Sequence, residues 1–144
     1  MALSADKTTS VGRQEGRTAA LLIANAVTVY RGGLICADSS GFANPAAQTA
    51  GFHFMGVCIR HDGTVLGAGC TGDGATKYCV VERRGTNYVG KVSAAQSDIG
   101  KLAYVVDDAT VTTTAPTANA FVVGQVVGVP DSADVEVDLE IKSL

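Results

Sequence analysis

The chain has 144 residues, enough for one domain with a buried core, and only 17% of them are charged, with a net charge of −3. No basic cluster extends beyond Arg83-Arg84, which argues against nucleic acid as a main partner. The longest apolar run, Thr18 to Tyr30, is interrupted by Asn25 and Thr28 and is too short to span a bilayer, so no membrane partner is expected.

Residues 1–17 are polar and of mixed charge, with Gly12 and Gly16 and no apolar periodicity; they read as an extended N-terminal arm. The opening Met1-Ala-Leu-Ser-Ala-Asp-Lys7 has no apolar stretch with a cleavage site, so it does not read as a secretory signal. Synthesis in a reducing cytoplasm follows, with Cys36, Cys58, Cys70 and Cys79 as thiols. Residues 18–144 read as a single β-domain. From Thr18 to Tyr30 the pattern fits either a strand, with Leu21, Ile23, Val27 and Val29 alternating, or a helix start at Ala19-Ala-Leu-Leu22, and Gly32-Gly33 ends it. Leu34 to Ala37 is a short buried strand followed by the turn Asp38-Ser-Ser-Gly41, and Asn44-Pro45 opens a loop or a helical turn.

Phe52 to Ile59 is a further strand, closed by His61-Asp-Gly63; Gly67 to Gly74 is a Gly-rich loop. Lys77 to Glu82 and Thr86 to Val92 are strands around the turn Arg83-Arg-Gly85. Leu102 to Val106, ended by Asp107-Asp108, should pair with Thr110 to Thr114, and Phe121 to Val129 follows. The last strand, Ala133 to Ile141, alternates strictly: Val135, Val137, Leu139 and Ile141 on one face, Asp134, Glu136, Asp138 and Glu140 on the other. Such strands, spaced by turns and rich in the 17 glycines, predict an all-β fold, a small Gly-rich β-barrel or sandwich. No repeat of solenoid period is visible.

Charge is unevenly spread. Residues 1–101 carry a balance of +3 and residues 102–144 one of −6, which makes head-to-tail contact between an acidic end and a basic arm plausible. The low charge content also points to an oligomer or a bound subunit. Reaction chemistry is sparse. Gly67-Ala-Gly69-Cys-Thr-Gly72 matches GxGxxG, yet Asp73-Gly74 blocks the helix start that a dinucleotide site needs, so no cofactor is expected. The four cysteines lack the close pairs of a structural zinc site, so no metal is expected. The two histidines come with no GxSxG elbow. Asp107-Asp108 reads as a turn rather than a carboxylate pair, and the chain is expected not to be an enzyme.

Several stretches, in order, resemble tailed-bacteriophage capsid decoration (cement) proteins: Tyr30-Arg-Gly-Gly-Leu-Ile-Cys-Ala-Asp-Ser-Ser-Gly-Phe42, Phe54-Met-Gly-Val-Cys58, Gly72-Asp-Gly74 and Val80-Val-Glu-Arg-Arg-Gly85. The most specific is Asp98-Ile-Gly-Lys-Leu-Ala-Tyr-Val-Val-Asp-Asp-Ala-Thr-Val111, with Phe121-Val-Val-Gly-Gln-Val-Val127 closing the series. The resemblance covers roughly residues 18–141. It implies a non-enzymatic virion protein, made in the host cytoplasm, that binds the outer surface of the capsid and stabilises the head. Its implied partners are the major capsid protein and other copies of itself, often as trimers, with the arm reaching the shell or a neighbour. The family has no short contact motif to carry over. The candidate capsid or subunit contacts are therefore the charged residues of the two ends: Lys7, Arg13 and Arg17, and Asp134, Glu136, Asp138 and Glu140. The alternative is a β-barrel adaptor or ligand-binding module of a phage tail or other assembly.

Overall fold

The computed structural model describes residues 17–65 and 67–144. These form β1 (Thr18–Leu22), β2 (Thr28–Val29), β3 (Leu34–Ala37), β4 (Ala43–Pro45), β5 (His53–His61) and β6 (Cys70–Thr71). Then come β7 (Tyr78–Glu82), β8 (Thr86–Gly90), a 3₁₀ turn (Gln96–Asp98), β9 (Leu102–Val105), β10 (Val111–Thr112), β11 (Val122–Gly128) and β12 (Asp134–Asp138). The fold is all-β, as the turn spacing predicts. The arm expected over residues 1–17 lies outside the described residues except for Arg17.

Two five-stranded antiparallel sheets dominate, ordered β1-β7-β5-β3-β4 and β10-β9-β11-β12-β8. Each curls until its outer strands meet at a parallel bridge, Ile23 with Ala43 in the first and Gly90 with Thr110 in the second. The result is two small closed barrels, and closure leaves few backbone groups unpaired along an edge. The ambiguous run Thr18–Tyr30 is strand: β1 ends at a turn in which Ala26 has φ +61°, and β2 follows. Ala43-Asn-Pro45 is a strand, not a loop or helical turn, with Pro45 at its last position. The strands flanking Arg83-Arg-Gly85 do not pair with each other. β7 pairs with β1 and β5, β8 pairs with β12, and the three residues between them join the barrels.

The two barrels are copies of one topology. Strands β1, β3, β4, β5 and β7 occupy in the first the places of β8, β9, β10, β11 and β12 in the second. Ladder registers correspond at a constant offset of 68 positions through the first four strands (Thr18 to Thr86, Leu34 to Leu102, Gly56 to Gly124) and 56 in the fifth (Glu82 to Asp138). Register shifts recur at equivalent places, between Cys58 and Arg60 and between Val126 and Gly128. Loop hydrogen bonds repeat as well. Gly32 N–H donates to Cys58 O at 2.7 Å and Gly100 N–H to Val126 O at 2.8 Å, with φ +84° and +91° at the two glycines. Arg83 N–H donates to Arg17 O at 2.7 Å as Leu139 N–H does to Gly85 O at 2.9 Å. The changed offset marks an insertion in the first barrel, the long connection 62–77 between β5 and β7, which carries β6.

Two apolar clusters fill the molecule. Inside the first barrel lie Ile23, Val29, Ile35, Ala43, Cys58, Cys70, Cys79 and Val81. Val29 and Cys70 come from the ribbon β2–β6, so the insertion completes this core. The second barrel has no such ribbon. Its Val105, Val111, Val123, Val126, Val135, Val137 and Leu139 pack instead against Leu34, Cys36, Ala46 and Val57 on the outside of the first. Strand β3 is therefore buried on both faces, with Ile35 in one core and Leu34 and Cys36 in the other, which explains its unbroken apolar sequence. On β12 the expected alternation holds through Leu139, and Ile141 is half-buried.

Candidate functional site

Of the charged residues expected to make contacts, Lys7 and Arg13 lie outside the described residues. Arg17 sits at the start of β1, its Nε 2.7 Å from Glu82 Oε1 and its carbonyl bonded to Arg83, so it is tied to the first barrel and not to the acidic strand. Asp134, Glu136 and Asp138 form a row on the outer face of β12, opposite Gly90, Tyr88 and Thr86 of β8. Glu140, beyond the end of the strand, pairs with Arg84 at 3.1 Å. Among the described residues the three carboxylates of the row make no ion pair.

The cysteines are free and buried. Cys58, Cys70 and Cys79 share the first core, and Cys36 faces the second. Cys58 Sγ donates to Arg60 O at 3.4 Å; interaction between the Cys58 and Cys79 thiols pulls that of Cys58 down and pushes that of Cys79 up, while burial pushes Cys36 up to about 11. No group of three or more His, Cys, Asp or Glu among the described residues is arranged to hold a metal ion. His61 is engaged locally, its Nδ1 accepting from Gly63 N–H at 3.0 Å. Because all four sulfurs are screened by packing, an aromatic disulfide reagent should leave them unmodified in the native protein and titrate all four after unfolding. A thiol that reacted at once in the folded protein would contradict its placement.

The glycine-rich loop has a packing explanation. A Cβ at Gly69 would lie 2.6 Å from Val29 O and 2.8 Å from the Tyr30 ring, and one at Gly72 would lie 2.3 Å from Ala24 O. The motif itself contains β6, and β7 is the next regular element, so these glycines let the inserted ribbon press against β1 and β2.

The concave surface that does form was not picked out from the sequence. A cleft of about 450 Å³ lies beside the inserted loop, lined by Tyr30, Arg31, Arg60, His61 and Thr64 among others. A second hollow of about 290 Å³ continues it between the barrels, where Tyr30 and Arg31 face Tyr88 and Asp108. Arg31 is steadied by its Nε donating to Ile59 O at 3.0 Å. The available signal was Tyr-Arg and Arg-His placed at the ends of two apolar runs, Tyr30-Arg31 and Arg60-His61, where strand packing asks for neither.

Aligned by the repeat, Arg31, Arg60 and His61 correspond to Ile99, Gly128 and Val129, so the basic character of the cleft belongs to the first barrel alone. Two carboxylates of the acidic row belong to the second alone, since Asp134 and Glu136 correspond to Tyr78 and Val80, while Asp138 corresponds to Glu82, which Arg17 pairs in the first. The molecule thus adds opposite charge to two copies of one scaffold. No protein-family model, curated protein or solved structure matches the chain.

Proposed function

We propose that the chain is a non-enzymatic virion protein that binds the outer surface of a phage capsid and stabilises the head. The observation that carries this reading is the ordered run of motifs across residues 18–141 that resembles capsid decoration proteins. The architecture supports it. Two closed barrels with cores of small aliphatic side chains make a rigid block, suited to bridging subunits by many weak contacts multiplied by symmetry. The charged residues in excess of what the scaffold needs lie on its outside, where they serve contact rather than packing. The major capsid protein and further copies of the chain are the partners this reading calls for.

Residues 1–17 are the proposed capsid-reaching arm. Removal of residues 1–16, which spares Arg17 and its bonds to Glu82 and Arg83, should abolish co-sedimentation with purified heads, while the truncated protein keeps the circular dichroism spectrum and melting transition of the β-domain. Truncated protein that still bound heads at full occupancy would remove the arm from the proposal. The other reading, an adaptor or ligand-binding module of a tail, draws its support from the cleft beside Tyr30 and Arg60. It calls for saturable binding of a small anion there and none to heads.

A further inference from the structure

We propose that the hollow between the barrels, lined by Tyr30, Arg31 and Tyr88, together with the cleft that continues it past Arg60, is the surface by which this chain binds a second copy of itself, and that it receives the acidic outer face of β12. Three observations converge on it. Tyr30 and Tyr88 are 48% and 70% exposed, and both line the hollow with Arg31. Tyrosine and arginine are the residue types that dominate the centres of protein interfaces, because each offers a large rigid contact together with a polar group. The second observation is charge. Among the described residues, Arg31 and Arg60 make no ion pair, and neither do Asp134, Glu136 and Asp138. Like charges two apart along one strand repel, and a basic surface docked over them relieves that repulsion and steers the encounter.

The third observation is the repeat. Arg31 and Arg60 in the first barrel, and Asp134 and Glu136 in the second, are departures from the common scaffold of opposite sign, so none of these four charges is explained by what the fold requires. Asp108 also lines the hollow, which keeps its basic character toward the Arg60 end. The inference rests on the decoration reading only in expecting an oligomer. It assigns self-association to the barrels and leaves the shell to the arm.

The test uses the full chain in sedimentation velocity across a dilution series at low and high salt. Wild type should form a discrete oligomer that salt weakens. The variant Arg31→Glu/Arg60→Glu and the variant Asp134→Lys/Glu136→Lys should each self-associate at least about tenfold more weakly, as loss of close interfacial charge pairs does. Mixing the two variants should restore a hetero-oligomer, which misfolding of either would not permit; Tyr88→Ala, a smaller change on an exposed site, should weaken association without any charge change. A wild type that stays monomeric at its highest soluble concentration overturns the proposal, and so do both charge variants keeping the wild-type mass. Head binding measured on the same samples separates the two ideas. Oligomers that need the groove but ignore heads would sink the decoration reading alone, whereas groove variants that bind heads yet keep full oligomeric mass would sink this one.

Discussion

Gly56→Ala and Gly124→Ala should each lower unfolding stability by about 3 kcal/mol or more, among the largest effects of any single methyl group added to this protein. A Cβ at Gly56 would lie 2.2 Å from the carbonyl oxygen of Glu82, and one at Gly124 would lie 2.0 Å from that of Asp138. The obstacle in both cases is backbone in the neighbouring strand of the same ladder, which cannot swing away as a side chain can. Gly85, at φ +82° with nothing within 4 Å of a built Cβ, is the control: alanine there meets only the left-handed backbone penalty, roughly 1–2 kcal/mol. Denaturant titrations of the three variants measure the difference. Because Gly56 and Gly124 are equivalent in the repeat, their alanine variants should be similarly damaged. One of them tolerated within 1 kcal/mol of wild type would break that equivalence.

Asp98→Ala should cost about 3–5 kcal/mol, the usual loss when one member of a buried ion pair is removed. Asp98 is the buried charged residue of the described chain, 5% exposed. Its carboxylate accepts from Ala95 N–H at 2.9 Å and Thr113 Oγ1 at 3.0 Å, and lies 3.1 Å from Lys91 Nζ. The Lys91 side chain is itself only 11% exposed, so truncation leaves a cation as well as two donors without their partner. The arrangement ties the 3₁₀ turn to the segment leaving β8 and to the end of β10.

The same contacts predict a pH dependence. The hydrogen bond from Ala95, and then those from Lys91 and Thr113, hold the Asp98 carboxyl below its ordinary value despite its burial. The unfolded chain therefore takes up the proton first, near an unperturbed pKa of about 3.9. The contribution is complete above that pH and is lost as pH falls through the lower folded-state value. Asp38 is also held down: burial opposes this, but bonds from Phe42, Asn44, Ser40 and Gly41 prevail. Asp73 is held down by Thr76. Melting temperature should thus fall on acidification below about pH 4, and Asp98→Asn should flatten the fall without removing it. An unchanged acid slope in that variant would show that Asp98 carries none of the effect.

Much of the fold was legible because its strands obey simple rules. Val135, Val137 and Leu139 alternate with carboxylates as a sheet with one wet face requires, and Asp107 closes its turn by accepting from Ala109 N–H at 2.8 Å. The duplication was not legible. The two barrels share little beyond Thr18 and Thr86, Gly32 and Gly100, Leu34 and Leu102, Gly56 and Gly124, and Val81 and Val137, because ladder registers constrain backbone geometry and the barrel interiors accept any small aliphatic side chain. Asn44-Pro45 reads as a loop by local chemistry, yet it pairs with β3 because the chain needs a strand there to close the barrel. Asp98 stands out in the sequence only as the first residue of a resembling stretch, and its burial could not be foreseen because Lys91 and Thr113 reach it from separate loops. The groove was hidden for a similar reason: Tyr30-Arg31, Arg60 and Tyr88 come from separate stretches of sequence, and only the fold sets Tyr30-Arg31 beside Arg60 in one hollow and beside Tyr88 in the other.

The most direct test of the decoration reading is electron-microscopic imaging of purified expanded heads, alone and after incubation with this protein. Decoration predicts ordered added density on the outer surface at symmetry-related positions, together with heads that withstand higher temperature before releasing their contents. Heads that carry no added density at saturating protein would contradict it.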